Sequence, residues 1–297
     1  PLIVGRRHDT ISFLSDYGID DEFVGVVHSV LRSIAPHAVI VDVTHGIAAH
    51  DVRAGGLALA RSAQYLCPGV VLAVVDPGVG TDRRAVAVEV GDGESVLVGP
   101  DNGLLAPAVA MVGGADRAVS LTDLTWHLPT PGSTFDGRDV FAPVAAHLAT
   151  GVDLAELGDQ IQPAGLFPGV LPVAVAEVDG LHAEVLWIDR FGNIQLNVGP
   201  EELGGLGPGD RFGIRLADRL VSAQRVSAYD DVPAGGLGVL VDSCGLVSVV
   251  AARASAAADL GLVAGAAVVL TVGADTDRSA TSVHLGDRSV SHTPGEA

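Results

Sequence analysis

The sequence predicts two folded domains: an N-terminal α/β domain with a central, mostly parallel sheet and flanking helices, and a smaller all-β, barrel-like C-terminal domain. Three observations support this fold class. Short β-rich runs alternate with segments of helical spacing in the first half of the chain. Glycine-punctuated short strands fill most of the second half. The 297 residues, 48% of them hydrophobic, supply enough apolar material for two cores.

Hydrophobic spacing places the elements of the first domain. Apolar residues at positions 23, 27, 31 and 34 recur at helical spacing before Pro36, so a helix follows the first strand. Asp51 is positioned to cap a second helix over residues 52–66. The predicted strands are residues 11–15, 38–43, 70–75, 85–90 and 95–98, and a last helix is predicted over residues 140–148.

A run rich in proline and glycine separates the two domains. We predict an N-terminal domain over residues 1–165, a linker at 166–172 and a C-terminal domain over 173–274. The polar, aperiodic residues 275–297 are predicted to be a disordered tail. Strands are predicted in the C-terminal domain at residues 173–178, 183–188, 212–216, 238–241 and 246–250, with a short helix near 255–260.

Composition excludes several function classes. A net charge of -19 would repel phosphate backbones, so nucleic acid is not an expected partner. The sequence contains no lysine, which excludes a Schiff-base lysine and a P-loop lysine. No apolar run approaches the roughly 20 residues that cross a bilayer, so we expect no membrane insertion. Cys67 and Cys244 form no disulfide framework, and a cytoplasmic location is expected.

Polar residues follow the first two predicted strands, where α/β sheets bind ligands. Asp16 comes directly after the first strand, and a carboxylate there can accept hydrogen bonds from ribose hydroxyls. Asp21 follows closely and is either a ligand contact or a helix cap. His45 and His50 suggest a metal site, but their spacing fits no common zinc pattern, so we interpret them as structural and expect no metal.

The loop from Asp76 to Arg83 is the most informative segment. It leaves a predicted strand with a carboxylate, turns through two glycines and returns with an arginine. Such a loop can seat an anion or polarise a water molecule between the carboxylate and the guanidinium. A plain Asp-Pro-Gly turn with a surface arginine is the alternative.

Further polar turns lie later in the chain. Asn102 and Asp136 lie in glycine-containing turns of the first domain. In the second domain, a set of side chains could bind an adenine edge and an amino acid zwitterion, although hairpin turns explain them equally well. These residues are Asp189, Phe191, Asn193 and Ser243.

Six motifs, taken in order, resemble the family of S-adenosylmethionine (SAM) hydroxide adenosyltransferases, which is related to the SAM-dependent fluorinases and chlorinases. The resemblance covers about residues 10–270. Each motif alone is weakly specific, but their shared order is a strong signal. The motifs are residues 14–18, 41–45, 76–83, 100–105, 134–143 and 188–193.

The resemblance implies an activity and an assembly. It implies hydrolysis of SAM to adenosine and L-methionine, by attack of water on the ribose 5′ carbon, without a metal or cofactor. Asp76, Arg83 and Asp136 would be the catalytic residues, with Asp136 standing where hydrolases of the family have histidine. The family forms homotrimers whose active sites lie between the N-terminal domain of one subunit and the C-terminal domain of its neighbour.

The resemblance also implies roles for the substrate-binding side chains. Asp16 would bind the ribose, Phe191 and Asn193 would contact adenine, and Asp189, Ser243 and Asp21 would bind the methionine end. Asn102 is also expected to bind substrate. Two other functions stay open: a halogenase that uses a halide as nucleophile, which the intact loop after Asp76 disfavours, and a noncatalytic protein that binds SAM or adenosine.

Overall fold

A computed structural model of the chain describes residues 5–217 and 219–273. The chain divides between Pro172 and Val173 into two compact units. Residues 166–172, the predicted linker, belong to the first unit, where the Phe167 backbone N–H donates to Asp101 Oδ1 at 2.7 Å. The predicted disordered tail lies outside the described residues.

A seven-stranded sheet in the order β2-β1-β3-β5-β4-β6-β7 forms the centre of the first unit. Strands β2, β1, β3 and β5 pair in parallel, whereas β4 pairs antiparallel with β5 and β6, and β7 pairs antiparallel with β6. Five of the seven strands therefore run in one direction. The strands are β1 Thr10–Ser15, β2 Val39–Thr44, β3 Val70–Val74, β4 Ala85–Val90, β5 Ser95–Pro100, β6 Arg117–Ser120 and β7 Asp159–Ile161.

Helices cover both faces of this sheet, which gives the unit two apolar cores. The helices are α1 Phe23–Ile34, α2 Val52–Ala63, α3 Ala106–Met111 and α4 Ala142–Thr150. α1 and α4 bury apolar side chains in one core, and α2 and α3 do so in the other. The predicted cap of α2 is confirmed, because the Asp51 carboxylate accepts a hydrogen bond from the Ala54 backbone N–H.

The second unit is a closed seven-stranded β-barrel. Its sheet runs β10-β14-β13-β12-β11-β15-β9, and pairing of β9 with β10 closes it, while the short strand β8 pairs antiparallel with the start of β9. Closure removes the exposed strand edges that an open sheet would have. The elements are β8 Val175–Glu177, β9 Gly180–Ile188, β10 Ile194–Leu196, α5 Pro200–Gly205, β11 Arg211–Arg215, β12 Leu220–Arg225, β13 Leu237–Val241, β14 Val247–Ala251, α6 Ala256–Leu260 and β15 Ala267–Val272.

The predicted fold class is confirmed, with one revision close to the candidate site. The helix predicted over residues 140–148 is preceded by a π-helical turn at Gly137–Phe141, which continues into α4. π-turns recur at functional sites because the wider turn redirects side chains. Within residues 5–217 and 219–273, no helix is both long and apolar enough to span a membrane.

Candidate active site

A cleft of about 580 Å³ opens in the first unit, where the loops after β1 and β3 meet the π-helical turn. Its volume falls in the range of about 300–1,000 Å³ typical of small-molecule sites. The strands β1 and β3 are parallel neighbours, so the side chains that follow them emerge at the same edge of the sheet. The lining includes four predicted site residues, Asp16, Asp21, Asp76 and Asp136.

Arg83 joins two of the carboxylates of the cleft, Asp76 and Asp136. Its Nε lies 2.9 and 3.0 Å from the two oxygens of Asp76, and its Nη2 donates to Oδ2 of both Asp76 and Asp136. All three side chains are largely buried, at 12%, 6% and 16% exposure for Arg83, Asp76 and Asp136. The formal charges of the three groups sum to -1.

Burial and the two carboxylates act in opposite directions on Arg83. Burial lowers the pKa of the guanidinium, but its hydrogen bonds and attraction to Asp76 and Asp136 raise the pKa by more. Arg83 therefore stays a cation. The Phe141 ring lies beneath the guanidinium, with its centroid 5.2 Å from Cζ, and adds a cation–π contact. The guanidinium is thus held in one orientation from several sides.

Asp16 and Tyr17 line the same cleft. Asp16 Oδ2 accepts a hydrogen bond of 2.8 Å from the His50 backbone N–H, which fixes the carboxylate on the loop after β1. The pKa of Tyr17 is raised, first by burial and then by the charges of Asp16, Asp76 and Asp136. Tyr17 therefore keeps its proton and is a neutral hydrogen-bond donor among carboxylates.

Three aromatic residues that were not among the predicted site residues, Tyr17, Phe23 and Phe135, also line the cleft. Their rings pack edge to face or tilted, with centroids 5.2–5.8 Å apart. Arg138 lies with Cζ 5.1 Å from the centroid of Phe135. Only the fold shows this cluster, because its members come from separate segments of the chain.

His127 is a further residue that sequence reasoning missed. Its Nε2 is buried with no hydrogen-bond partner among the described residues. Burial lowers the pKa of its imidazole, while the charge of Asp136 acts to raise it. A neutral imidazole therefore lies near the position where the family resemblance implied histidine.

Asn102 does not line the cleft. Its Nδ2 donates to the Val75 carbonyl at 2.9 Å, and its Oδ1 accepts from the Leu104 N–H at 3.1 Å. One end of the amide thus binds the backbone next to Asp76, and the other end stabilises the turn that contains Asn102. Asn102 lines a separate cavity of about 180 Å³ instead.

The other predicted binding residues lie on two turns of the barrel. Asp189 Oδ1 accepts from the backbone N–H groups of Phe191 and Asn193, both at 2.8 Å, and its Oδ2 accepts from Asn193 Nδ2 at 2.7 Å. The turn leaves the Phe191 ring 76% exposed. Ser243 is exposed on the turn between β13 and β14. Tyr229 was not predicted, yet it lies near both turns.

Tyr229 and Asp242, which the sequence analysis did not single out, connect the two turns electrostatically. Burial, followed by the charges of Asp189 and Asp242, raises the pKa of Tyr229. Asp242, next to Ser243, accepts from Gln195 Nε2 at 2.7 Å and from Ser248 Oγ at 2.8 Å. The barrel therefore gathers acceptors, an exposed ring and a phenol hydroxyl, the groups that bind a polar aromatic ligand.

Two family profiles match this chain. The profile of the SAM hydroxide adenosyltransferase N-terminal domain matches residues 11–158, and that of the C-terminal domain matches residues 183–269. The chain belongs to this family. The two matched segments correspond to the α/β unit and the β-barrel.

Individual proteins are also similar to this chain in sequence or in structure. An (R)-S-adenosyl-L-methionine hydrolase of Salinispora arenicola is 48% identical over 250 residues, which are 84% of this chain and 92% of that protein. A fluorinase of Actinopolyspora mzabensis is 30% identical over 70% of this chain and 78% of its own. A crystal structure of an uncharacterised conserved protein of Thermotoga maritima has a TM-score of 0.82 and 31% identity, covering 88% of this chain and 99% of its own.

Proposed function

We propose that this protein hydrolyses SAM to adenosine and L-methionine. The observation that carries the proposal is the buried Asp76–Arg83–Asp136 group in a cleft that also holds Asp16. Relatives with 32–48% identity are named hydrolases of this substrate, whereas the fluorinases are 28–30% identical. Asp76 and Arg83 are the pair that the family resemblance assigns to positioning water.

The reaction is a single displacement at the ribose 5′ carbon. A water oxygen forms a bond to C5′ as the C5′–S bond breaks, and the bonding electron pair goes to sulfur, which becomes the neutral thioether of methionine. Asp76 accepts the hydrogen bond of the attacking water, and the released proton passes to solvent. The sulfonium is already a good leaving group, so the enzyme supplies alignment and needs no metal or cofactor.

The carboxylates of the cleft suit this substrate. The net formal charge of -1 on the catalytic group attracts the sulfonium cation. Asp16 binds the ribose hydroxyls, and Asp21 binds the methionine end. Asn102 acts indirectly, since it holds the Val75 carbonyl beside Asp76.

The barrel supplies the remaining contacts in the proposed assembly. Phe191 stacks on adenine and Asn193 binds its edge, while Asp189 and Ser243 bind the methionine end. These residues come from the neighbouring subunit of a homotrimer, as the family resemblance implies. The cysteine usage supports a location in the cytoplasm. Light scattering coupled to size-exclusion chromatography tests the trimer, since a monomer would leave the cleft without these partners.

The configuration at sulfur is part of the proposal. The name of the Salinispora arenicola relative specifies (R)-S-adenosyl-L-methionine. Because L already describes the α-carbon, R refers to the sulfonium centre. We propose that this chain prefers the same epimer, and that parallel assays with the separated R and S epimers will show faster turnover of R.

Product chromatography tests the function. Purified protein is incubated with SAM in buffer, with added chloride or with added fluoride, and adenosine, methionine and 5′-halogenated adenosine are followed. Adenosine in all three conditions, and its loss in Asp76→Ala, is the result expected of a hydrolase. A 5′-halogenated product would establish the halogenase alternative, and calorimetric binding of SAM without turnover would establish a binding protein.

A further inference from the structure

Two histidines and an aspartate converge on the far side of the loop after β1. His28 projects from α1, Asp42 lies in β2, and His45 follows β2. His28 Nε2 lies 2.8 Å and His45 Nε2 lies 3.0 Å from the same oxygen, Asp42 Oδ1. The three potential ligand atoms all lie within 4.8 Å of one another. The consecutive elements α1 and β2 thus bring three donor atoms to one point.

The spacing is close to that of a metal site. Zinc bonds of about 2.0–2.1 Å in a tetrahedron place neighbouring ligand atoms about 3.3 Å apart. The two separations from Asp42 Oδ1, 2.8 and 3.0 Å, differ from that spacing by only a few tenths of an ångström. Two imidazoles and one carboxylate favour zinc, copper or nickel over magnesium and calcium, which prefer all-oxygen ligands.

The surroundings of His45 also suit a ligand. Its second ring nitrogen, Nδ1, lies 2.7 Å from the hydroxyl oxygen of the fully buried Ser15. When Nδ1 donates its hydrogen to Ser15, the lone pair of Nε2 is free for a metal, which is the arrangement that second-shell partners enforce. The Phe13 ring packs edge to face against the His45 ring, with centroids 4.6 Å apart, and fixes its plane.

One residue of the cluster is buried, and the other two are partly exposed to solvent. His45 is buried, while the side chains of His28 and Asp42 are 31% and 45% exposed. A metal ion can enter from solvent, and water can complete its coordination. The other cluster of this kind in the described ranges, Glu177, Asp179 and His182, has one histidine and already holds the cation Arg215. It is the poorer candidate.

We propose that His28, Asp42 and His45 bind one divalent transition-metal ion, with zinc as the representative. This revises the expectation of structural histidines, since His28 rather than His50 completes the cluster. The site lies directly behind the loop that carries Asp16, because the His45 carbonyl accepts from the Gly18 N–H at 2.8 Å. The proposed hydrolysis does not use this ion, so the two proposals stand or fall independently.

Calorimetric titration of the full-length, chelator-treated protein tests the site. Zinc chloride is expected to bind saturably at His28, Asp42 and His45, while magnesium chloride at the same concentrations gives no saturable binding. His28→Gln and Asp42→Asn, both at partly exposed positions, are expected to weaken zinc binding at least about tenfold, and Ser15→Ala by about 10–100-fold. His182→Gln is the matched control and is expected to bind zinc as the unmodified protein does.

Anomalous diffraction from zinc-soaked crystals gives a second, direct readout. A peak within bonding distance of His28 Nε2, His45 Nε2 and an Asp42 oxygen supports the proposal. Failure of the unmodified protein to bind zinc would overturn it. So would zinc binding that persists in both His28→Gln and Asp42→Asn, or that is lost in His182→Gln.

Discussion

Arg83 lies between two of the carboxylates of the cleft, Asp76 and Asp136. Its Nε and Nη2 are both used, because Asp76 is bound by two nitrogens and Asp136 by one of them. The planar guanidinium presents several donors at fixed angles, and a lysine ammonium cannot reproduce that fork. The orientation of both carboxylates toward the cleft therefore depends on the shape of this side chain as well as on its charge.

Arg83→Lys is accordingly expected to lower kcat about 100-fold or more, in the range lost when proton transfer or water positioning fails. Its KM for SAM should change much less, since Asp16 and the barrel residues are untouched. Arg84→Lys is the matched control, because Arg84 pairs with Asp101 through the same two nitrogens outside the cleft. Steady-state kinetics that showed equal losses for the two variants would contradict the assignment.

The sequence alone identified Asp16 and Asp76 as candidates because each follows a strand at the ligand-binding end of the sheet, and Arg83 because it ends the loop that begins at Asp76. It could not show that Arg83 reaches Asp136, which lies 53 positions further along the chain. Nor could it separate Asn102, whose amide supports a turn, from residues that line the cleft. Side-chain direction at a turn depends on packing that a local pattern does not contain.

The π-helical turn Gly137–Phe141 determines the shape of one wall of the cleft. A Cβ atom on Gly137 would lie 1.9 Å from the Tyr17 hydroxyl and 3.3 Å from the ring of Phe135. The turn can therefore approach Tyr17 only because residue 137 has no side chain. The sequence predicted the following helix from its apolar spacing, but periodicity does not show a wider first turn.

Gly137→Ala is expected to displace Tyr17, to lower kcat/KM and to reduce the free energy of unfolding by about 1–3 kcal/mol, as overpacking does. Adding Tyr17→Phe should recover part of the stability, because it removes the colliding hydroxyl. Gly132→Ala is the control, since no atom lies within 4 Å of a Cβ there. Urea denaturation that found Gly137→Ala as stable as Gly132→Ala would refute this account of the wall.

Most of the helices and strands that the sequence analysis did not predict are short. Helix α3 has six residues and strands β7 and β10 have three each, so none is long enough to show a hydrophobic period. The closure of the barrel also depends on the pairing of β9 with β10, which no local pattern indicates. Helix α1, which has a clear helical period, and strand β3, which is a continuous apolar run, were predicted within a residue of their observed ends.

At the scale of the whole molecule, the first unit buries several histidines wholly or in part. Burial is the largest cause that lowers the pKa of His8, His127 and His147 below the ordinary value of 6.5. These groups bind protons more readily in the unfolded chain than in the folded unit. The contribution of these histidines to stability therefore increases with pH. It is fully present above about pH 6.5 and is lost as the pH falls below that value, through the lowered pKa values of the folded state.

The urea midpoint of unfolding is thus expected to fall as the pH is lowered from about 7.5 to 5.5. The lowered carboxylate pKa values, such as that of Asp153, act only at more acidic pH and do not contribute in this window. His147→Phe keeps a ring against Trp126, where the two rings now lie 4.9 Å apart, and removes one titrating group. It should flatten the pH dependence, and a midpoint that did not vary with pH would contradict the linkage.

Isotope labelling tests whether water is the nucleophile and whether Asp76 positions it. The protein is incubated with SAM in ¹⁸O-enriched water, and adenosine is analysed by mass spectrometry. We expect adenosine with one ¹⁸O at the 5′ position, formed by the unmodified chain and lost in Asp76→Ala. Unlabelled adenosine, no adenosine at all, or labelled adenosine formed equally well by Asp76→Ala would contradict it.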